Sequence, residues 1–334
     1  MSKKIVAFHS YQLGERGSEV QMIKWARYNK EILGNESIII STSSRPTPSL
    51  KMFEKEFKVI LYPEVWIPDG RNDQLRASLE RICDENNVTH FWAIKGGEND
   101  GIMPKNVKTM AACIFRLDQP HGDVYTGICQ YISDKYGSIH PWVYPIVLKE
   151  EPDYNEDWRE ELNIPRDAIV FGRHGGTDTF DLNFVKQSII ESLSIREDIY
   201  FIFLNTEKFT NHPRVIYLDW TSSFKDKAKF VNTCDLMIHG RSGGEIFSSA
   251  IDEFSTRNKP VVTWRPDDIP PSYDTGHLWV LGETAFFYKA QEDLTRLLTT
   301  ISKEDFVNKD WDVYKDIYSP ENVMAEFNKI FLQD

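Results

Sequence analysis

The feature that most restricts the fold is a regular alternation of two hydrophobic periods. KKIVAFHS opens as a short buried strand. VQMIKWARYNKEIL follows with helical spacing, its Val20, Ile23, Trp25 and Ala26 marking one apolar face. SIIIST and KVILY read as strands, DQLRASLERICDENN as an amphipathic helix, and THFWAI, ACIFRL and DVYTGI as three more strands. The pattern then repeats. AIVFGRH is a strand, NFVKQSIIESL a helix, IYFIFLNT and RVIYLDW strands, SFKDKAKFVNTC a helix, DLMIHG a strand, GEIFSSAIDEFS a helix and KPVVTW a strand. TAFFYK and a helix around 290–302 come after, and SPENVMAEFNKIFLQ closes the chain with a Ser-Pro-Glu helix start. Alternation of this kind predicts α/β crossover units, with parallel sheets covered on both faces.

Two such series, in a chain of 334 residues, predict two domains. Between them residues 145–168 are acidic and proline-punctuated and read as a surface linker followed by a helix. The expected boundaries are 1–148, 149–315 and a terminal helix over 316–334.

The net charge of −12 argues against non-specific nucleic-acid binding, which needs Lys and Arg on phosphates, though it leaves room for a local basic pocket. Cys83, Cys113, Cys129 and Cys234 form no CxxC pair and sit among apolar neighbours, so free buried thiols are expected, and no zinc site. MSKKIVAFHS is too polar for a secretory signal, and no apolar run approaches the roughly 20 residues of a membrane span. A cytoplasmic location without a transmembrane segment is the expectation. The oligomeric state is not legible.

In open α/β sheets ligands bind beyond the carboxyl ends of the strands. The loops expected there are HSYQLGERGS, KGGENDG, GRHGGTDT and GRSGGE, all glycine-rich. In GRSGGE, Gly243 and Gly244 would let a ligand approach the backbone at a helix N-terminus, suiting a diphosphate or a sugar hydroxyl. A tight turn, with Glu245 merely favourable to the helix dipole, is the alternative. If the helix begins at Gly244, Glu245 and Glu253 lie about 80° apart around its axis and roughly 12 Å along it. One long ligand could meet both, or Glu253 could form a salt bridge. In GRHGGTDT, Arg173 is placed to reach a phosphate and His174 to donate beside it, unless both belong to a surface turn. Gly14 and Gly17 do not make a GxGxxG fingerprint. His121 in QPHG is either catalytic or structural.

These residues, taken in order, resemble the retaining nucleotide-sugar glycosyltransferases of family four, with two facing Rossmann-like domains (the GT-B fold). DLMIHGRSGGEIFSSAIDEFSTRNKPVVTW carries the strongest likeness, through the E-x7-E pair and the strand after it. PHGDVYTGICQYISDKYG resembles the end of the N-terminal domain of these enzymes. The resemblance implies an acceptor-side domain, a donor domain, a cleft between them and a C-terminal helix crossing back to the first domain. It implies that Glu245 faces the transferred sugar, that Glu253 holds the donor ribose, and that Arg173 and His174 meet the diphosphate. Gly243, Gly244, Ile246 and Phe247 would line the donor site, Gly14 and Gly17 would line the cleft, and His121 would take the place of a histidine common in the family. The implied reaction moves a sugar from a nucleoside diphosphate, UDP or GDP, to a glycan, protein or small-molecule acceptor, with retention and with no metal or other cofactor. The family lysine that follows the Arg173 position has no counterpart before Lys186. Two rivals are a nucleotide-sugar 2-epimerase on the same fold and a non-catalytic sugar-nucleotide or glycan-binding module.

Overall fold

The structure is a computed structural model and describes residues 3–14, 17–67, 72–149 and 154–333. Contacts divide the chain into two compact units, Met1–Ile146 with Asp316–Asp334, and Val147–Lys315.

The first unit runs β1 (Ile5–His9), α1 (Gly17–Glu31), β2 (Glu36–Thr42), α2 (Leu50–Glu54), β3 (Lys58–Tyr62), α3 (Asp73–Glu85), β4 (His90–Lys95), β5 (Lys108–Cys113), β6 (Val124–Gly127) and α4 (Gln130–Lys135). Its strands form one parallel sheet in the order β3-β2-β1-β4-β5-β6. The two central strands are buried on both faces, with Phe8 and Phe91 fully enclosed, which is why they read as unbroken apolar runs rather than alternating ones. Met22, Trp25 and Ala26 of α1 supply part of the cover on one side.

The second unit runs β7 (Ile169–His174), α5 (Asn183–Ile195), β8 (Ile199–Leu204), β9 (Val215–Leu218), α6 (Phe224–Thr233), β10 (Leu236–Ile238), α7 (Ser249–Ser255), β11 (Val261–Trp264), α8 (Gly276–Leu281), β12 (Phe286–Tyr288) and α9 (Gln291–Thr300). Its sheet is also parallel, in the order β12-β11-β10-β7-β8-β9. Phe171, Phe201, Phe203 and Val262 form the middle of its core. Gly172 inside β7 is required by packing, since a Cβ there would stand 2.2 Å from Cys234 Sγ.

Counted from the first strand of each unit, both sheets have the order 3-2-1-4-5-6, the doubly wound arrangement. The order reverses between β1 and β4 in one unit and between β7 and β10 in the other. The loops after those strands are therefore where a ligand is expected, one place per unit.

The chain ends with α10 (Pro320–Phe327), which belongs to the first unit. Ser319 caps it, and Phe327 seats its ring 5.0 Å from Trp25 and 6.4 Å from Phe8. The four cysteines are free and buried. Among the described residues no helix is long and apolar enough to cross a membrane.

Two expected helices differ. Residues 158–163 are a turn, because the buried Arg159 guanidinium ties the segment to Thr233 O at 3.1 Å, Ala168 O at 3.0 Å and Asp235 at 2.7 Å. The helix expected from Gly244 starts only at Ser249.

Candidate functional site

The late start of α7 changes the geometry of the two glutamates. Gly244 adopts φ +60, and a Cβ there would stand 2.1 Å from Asp274 O, so the backbone turns where only glycine fits. Asp274 N donates to Gly243 O at 2.8 Å, and Glu245 N donates to Asp274 O at 2.9 Å. This short bridge ties the turn at 243–245 to the loop ahead of α8. Ser248 then caps α7 by accepting from Ile251 N. Glu245 thus lies before the helix and Glu253 within it, and the spacing expected from one continuous helix does not apply.

Glu245 sits in a shell of basic and aromatic groups. Arg241 Nη1 donates to its Oε2 at 2.7 Å, and His239 Nε2 lies 3.8 Å from its Oε1. His239 is buried and fixed at its other nitrogen by Thr263 Oγ1 at 3.0 Å. His277 stands behind, its ring 4.9 Å from that of His239, with Tyr273 OH 3.3 Å from its Nε2. Burial pushes the Glu245 carboxyl up, but His239 and Arg241 outweigh it and hold the group below the usual carboxylate range. Glu245 is therefore an anion in a mostly buried place. Burial lowers the His277 pKa to about 3, so that imidazole is neutral at ordinary pH.

Arg173, at the end of β7, is 4% exposed. Its Nη1 donates to Thr206 Oγ1 at 2.6 Å and Asn205 O at 3.5 Å, and its Nη2 to Gly176 O at 3.0 Å and to Thr179 Oγ1. Among the described residues, only Nε–H of its five donors is left without an acceptor. The guanidinium carbon also lies 5.8 Å from the Phe180 ring centroid. Burial lowers its pKa to about 10, with Glu245 opposing that shift and Arg241 adding to it, which places the three charges in one field. Arg173 ties down the 175–179 loop.

His174 Nε2 reaches Glu253 Oε2 at 3.0 Å. Ile246 is buried, and its carbonyl is packed so closely on Gly276 that a Cβ there would be 2.1 Å away. Phe247 turns edge-on to Tyr314. Ser242 is anchored through both N and Oγ to Asp181, at 2.7 and 2.5 Å. Arg173, His174, Gly243, Gly244, Glu245 and Glu253 are thus gathered at the switch point of the second sheet, between the loops after β7 and β10.

In the first unit, Gly14 lies in the loop after β1 and Gly17 opens α1; residues 15 and 16 fall outside the described residues. His121 lies in the turn before β6, where Nδ1 donates to Gln119 O at 2.7 Å and the ring lies 5.1 Å from Tyr125. Burial and Lys95 lower its pKa. At the switch point of this sheet stands a buried cluster that sequence reading missed. Lys95, at the end of β4, is ion-paired with Asp100, and Tyr11 donates to the other oxygen of Asp100. His9 Nε2 meets Tyr62 OH at 2.9 Å. His239, Arg241 and His277 were missed as well. Arg241 lies within the glycine loop already singled out and His239 directly precedes it, so their position was a usable signal; His277 lies 32 residues from Glu245, and nothing local marks it. Among the described residues, no three His, Cys, Asp or Glu are grouped to hold a metal ion.

No protein-family model matches the chain, and no curated protein matches it in sequence. Solved structures do match in shape. A glycosyltransferase from Rickettsia africae superposes with a TM-score of 0.74 at 13% identity, over 99% of this chain and 98% of that one. The chain shares the GT-B fold. The Anabaena protein HepE, solved in complex with UDP-glucose, matches with a TM-score of 0.66 at 13% identity, covering 98% and 95% of the two chains. A Listeria monocytogenes protein described as a UDP-N-acetylglucosamine 2-epimerase matches at 0.64 and 12%, covering 98% of each. At these identities the likeness concerns the fold.

Proposed function

We propose that this protein is a glycosyltransferase that moves a sugar from a nucleoside-diphosphate sugar to an acceptor hydroxyl, with retention and without a metal. The observation that carries this reading is the placement of Glu245. A carboxylate is lifted off α7 by Gly244, kept ionised by Arg241 and His239, and set at the switch point of a Rossmann-like unit. A buried anion of this kind suits a sugar whose anomeric carbon gains positive charge.

In the reaction the bond from the anomeric carbon to the diphosphate oxygen breaks and takes its electron pair to the diphosphate. The acceptor oxygen bonds to the anomeric carbon, and its proton passes to the departing phosphate. Glu245 faces the sugar. Glu253, with His174 beside it, holds the ribose, and Arg173 fixes the 175–179 loop and lends its charge to the site. Gly14 and Gly17 line the donor site from the first unit, and His121 takes a catalytic part.

The test is release of nucleoside diphosphate from UDP- and GDP-sugars, with and without glycan acceptors. Acceptor-dependent release that survives EDTA and is lost by a folded Glu245→Ala supports the reading. Full turnover by that variant overturns it. The fold shared with the Listeria epimerase keeps a second reading in play, and that reaction converts the donor with no acceptor present.

A further inference from the structure

Arg173 cannot offer a diphosphate a full guanidinium face, because its Nη groups are spent on Thr206, Asn205, Gly176 and Thr179 and the group is enclosed. A dianionic leaving group still needs a cation beside Glu245, since two anions in one partly buried site repel. We propose that Arg241 is that cation, receiving the diphosphate in the open space beside Gly243; the proposal rests on the nucleotide-sugar reading.

Three observations carry it. The Arg241 side chain is 39% exposed and, among the described residues, is bound through Nη1 alone, to Glu245 Oε2, so Nε and Nη2 are left to bind. Gly243 differs from the glycines around it. A Cβ at Gly172, Gly240 or Gly244 would stand 2.2, 2.8 or 2.1 Å from Cys234 Sγ, Phe180 or Asp274 O, so packing alone explains those three. A Cβ at Gly243 would meet only Arg241 Nε, at 4.0 Å, so the missing side chain leaves room next to the guanidinium. The loop that carries both residues is anchored between them, where Asp181 accepts two hydrogen bonds from Ser242. A short, anchored loop with an open glycine and a half-exposed arginine is suited to a diphosphate, which Arg binds through paired N–H groups. Arg241 rests on Glu245, and a diphosphate bound beside Gly243 would be bridged to that carboxylate by the same guanidinium.

The experiment is calorimetric titration of the full chain with UDP, GDP, ADP and dTDP. The variants are Arg241→Gln, Arg241→Lys, Gly243→Ala and Glu245→Gln, each first checked for an unchanged melting curve. Arg241→Gln is expected to weaken the preferred diphosphate roughly tenfold to a hundredfold, with Arg241→Lys in between. Gly243→Ala is expected to weaken it by filling the space. Glu245→Gln is expected to hold or tighten it, because the arginine loses its competitor. If Arg241 served only to position Glu245, the glutamate variant would weaken the diphosphate as much as the arginine variant, and the proposal would fall. It would fall also if wild type and Arg241→Gln bound alike, while the nucleotide-sugar reading would stand. If wild type bound none of the four at millimolar concentration, that reading and the proposal would fall together.

Discussion

His174 Nε2 lies 3.0 Å from Glu253 Oε2, so two residues chosen separately from sequence, one ending β7 and one on α7, meet each other at the second sheet's switch point. If both hold the donor, their effects are coupled. Glu253→Gln and His174→Ala should each weaken nucleotide binding. The double variant should fall short of the sum by about 0.5–3 kcal/mol, as for groups in contact. A double-mutant cycle on diphosphate affinity measures this, and full additivity would assign the two residues to separate tasks.

Gly244 and Gly243 are neighbours with opposite demands. Gly244→Ala places a Cβ 2.1 Å from Asp274 O on a backbone with φ +60, so the 243–245 bridge must open. A loss of about 1–3 kcal/mol follows from strain and overpacking, lowering the melting temperature by several degrees. Gly243→Ala should stay within about 0.5 kcal/mol of wild type. Equal melting temperatures for the two variants would contradict the packing described.

The buried imidazoles set a pH dependence. Burial lowers the pKa of both His9 and His277 to about 3, while an unfolded histidine titrates near 6.5. Between those values the unfolded chain binds more protons, so stability rises with pH, is complete above about 6.5 and is lost as the pH falls toward 3. Each group adds a slope of at most about 1.4 kcal/mol per pH unit. Denaturant melts from pH 7 to 4 should show a shallower slope for His277→Gln than for wild type. An identical slope would mean that this imidazole is charged in the folded state.

In the first unit Lys95 and Asp100 are 2% and 5% exposed at their side chains and answer each other's charge. Asp100→Ala would strand a buried ammonium and release Tyr11, at a cost of about 3–5 kcal/mol. Replacing both residues with apolar ones should recover much of that loss. Chemical denaturation tests the pair, and a mild effect of Asp100→Ala would show that water reaches Lys95.

Period and punctuation carried most of the architecture. A parallel strand buried on both faces must be an apolar run such as IVAFH or IVFGRH, and a crossover helix must show the 3.6 period. Both are local properties, and so most strands and the longer helices could be read in order; the strand expected at ACIFRL instead spans Lys108–Cys113. The glycine loops were legible for the same reason, since a chain that turns sharply after a strand needs residues without Cβ.

What was not legible depended on groups distant in sequence. GEIFSSAIDEFS has helical composition from its first residue, yet Asp274, thirty residues on, captures Gly243 and Glu245 and delays the helix to Ser249. Arg173 reads from the sequence as placed to reach a phosphate, and nothing nearby predicts that Thr206 and Asn205 will claim its guanidinium. His277 and the Lys95–Asp100–Tyr11 cluster carry no motif. The sequence by itself determined two α/β units with parallel sheets and the loops that bear their chemistry. Tertiary structure decided which side chains in those loops are spent on the protein and which, like Arg241, remain to bind, because the partner of a buried charge is chosen by the folded chain.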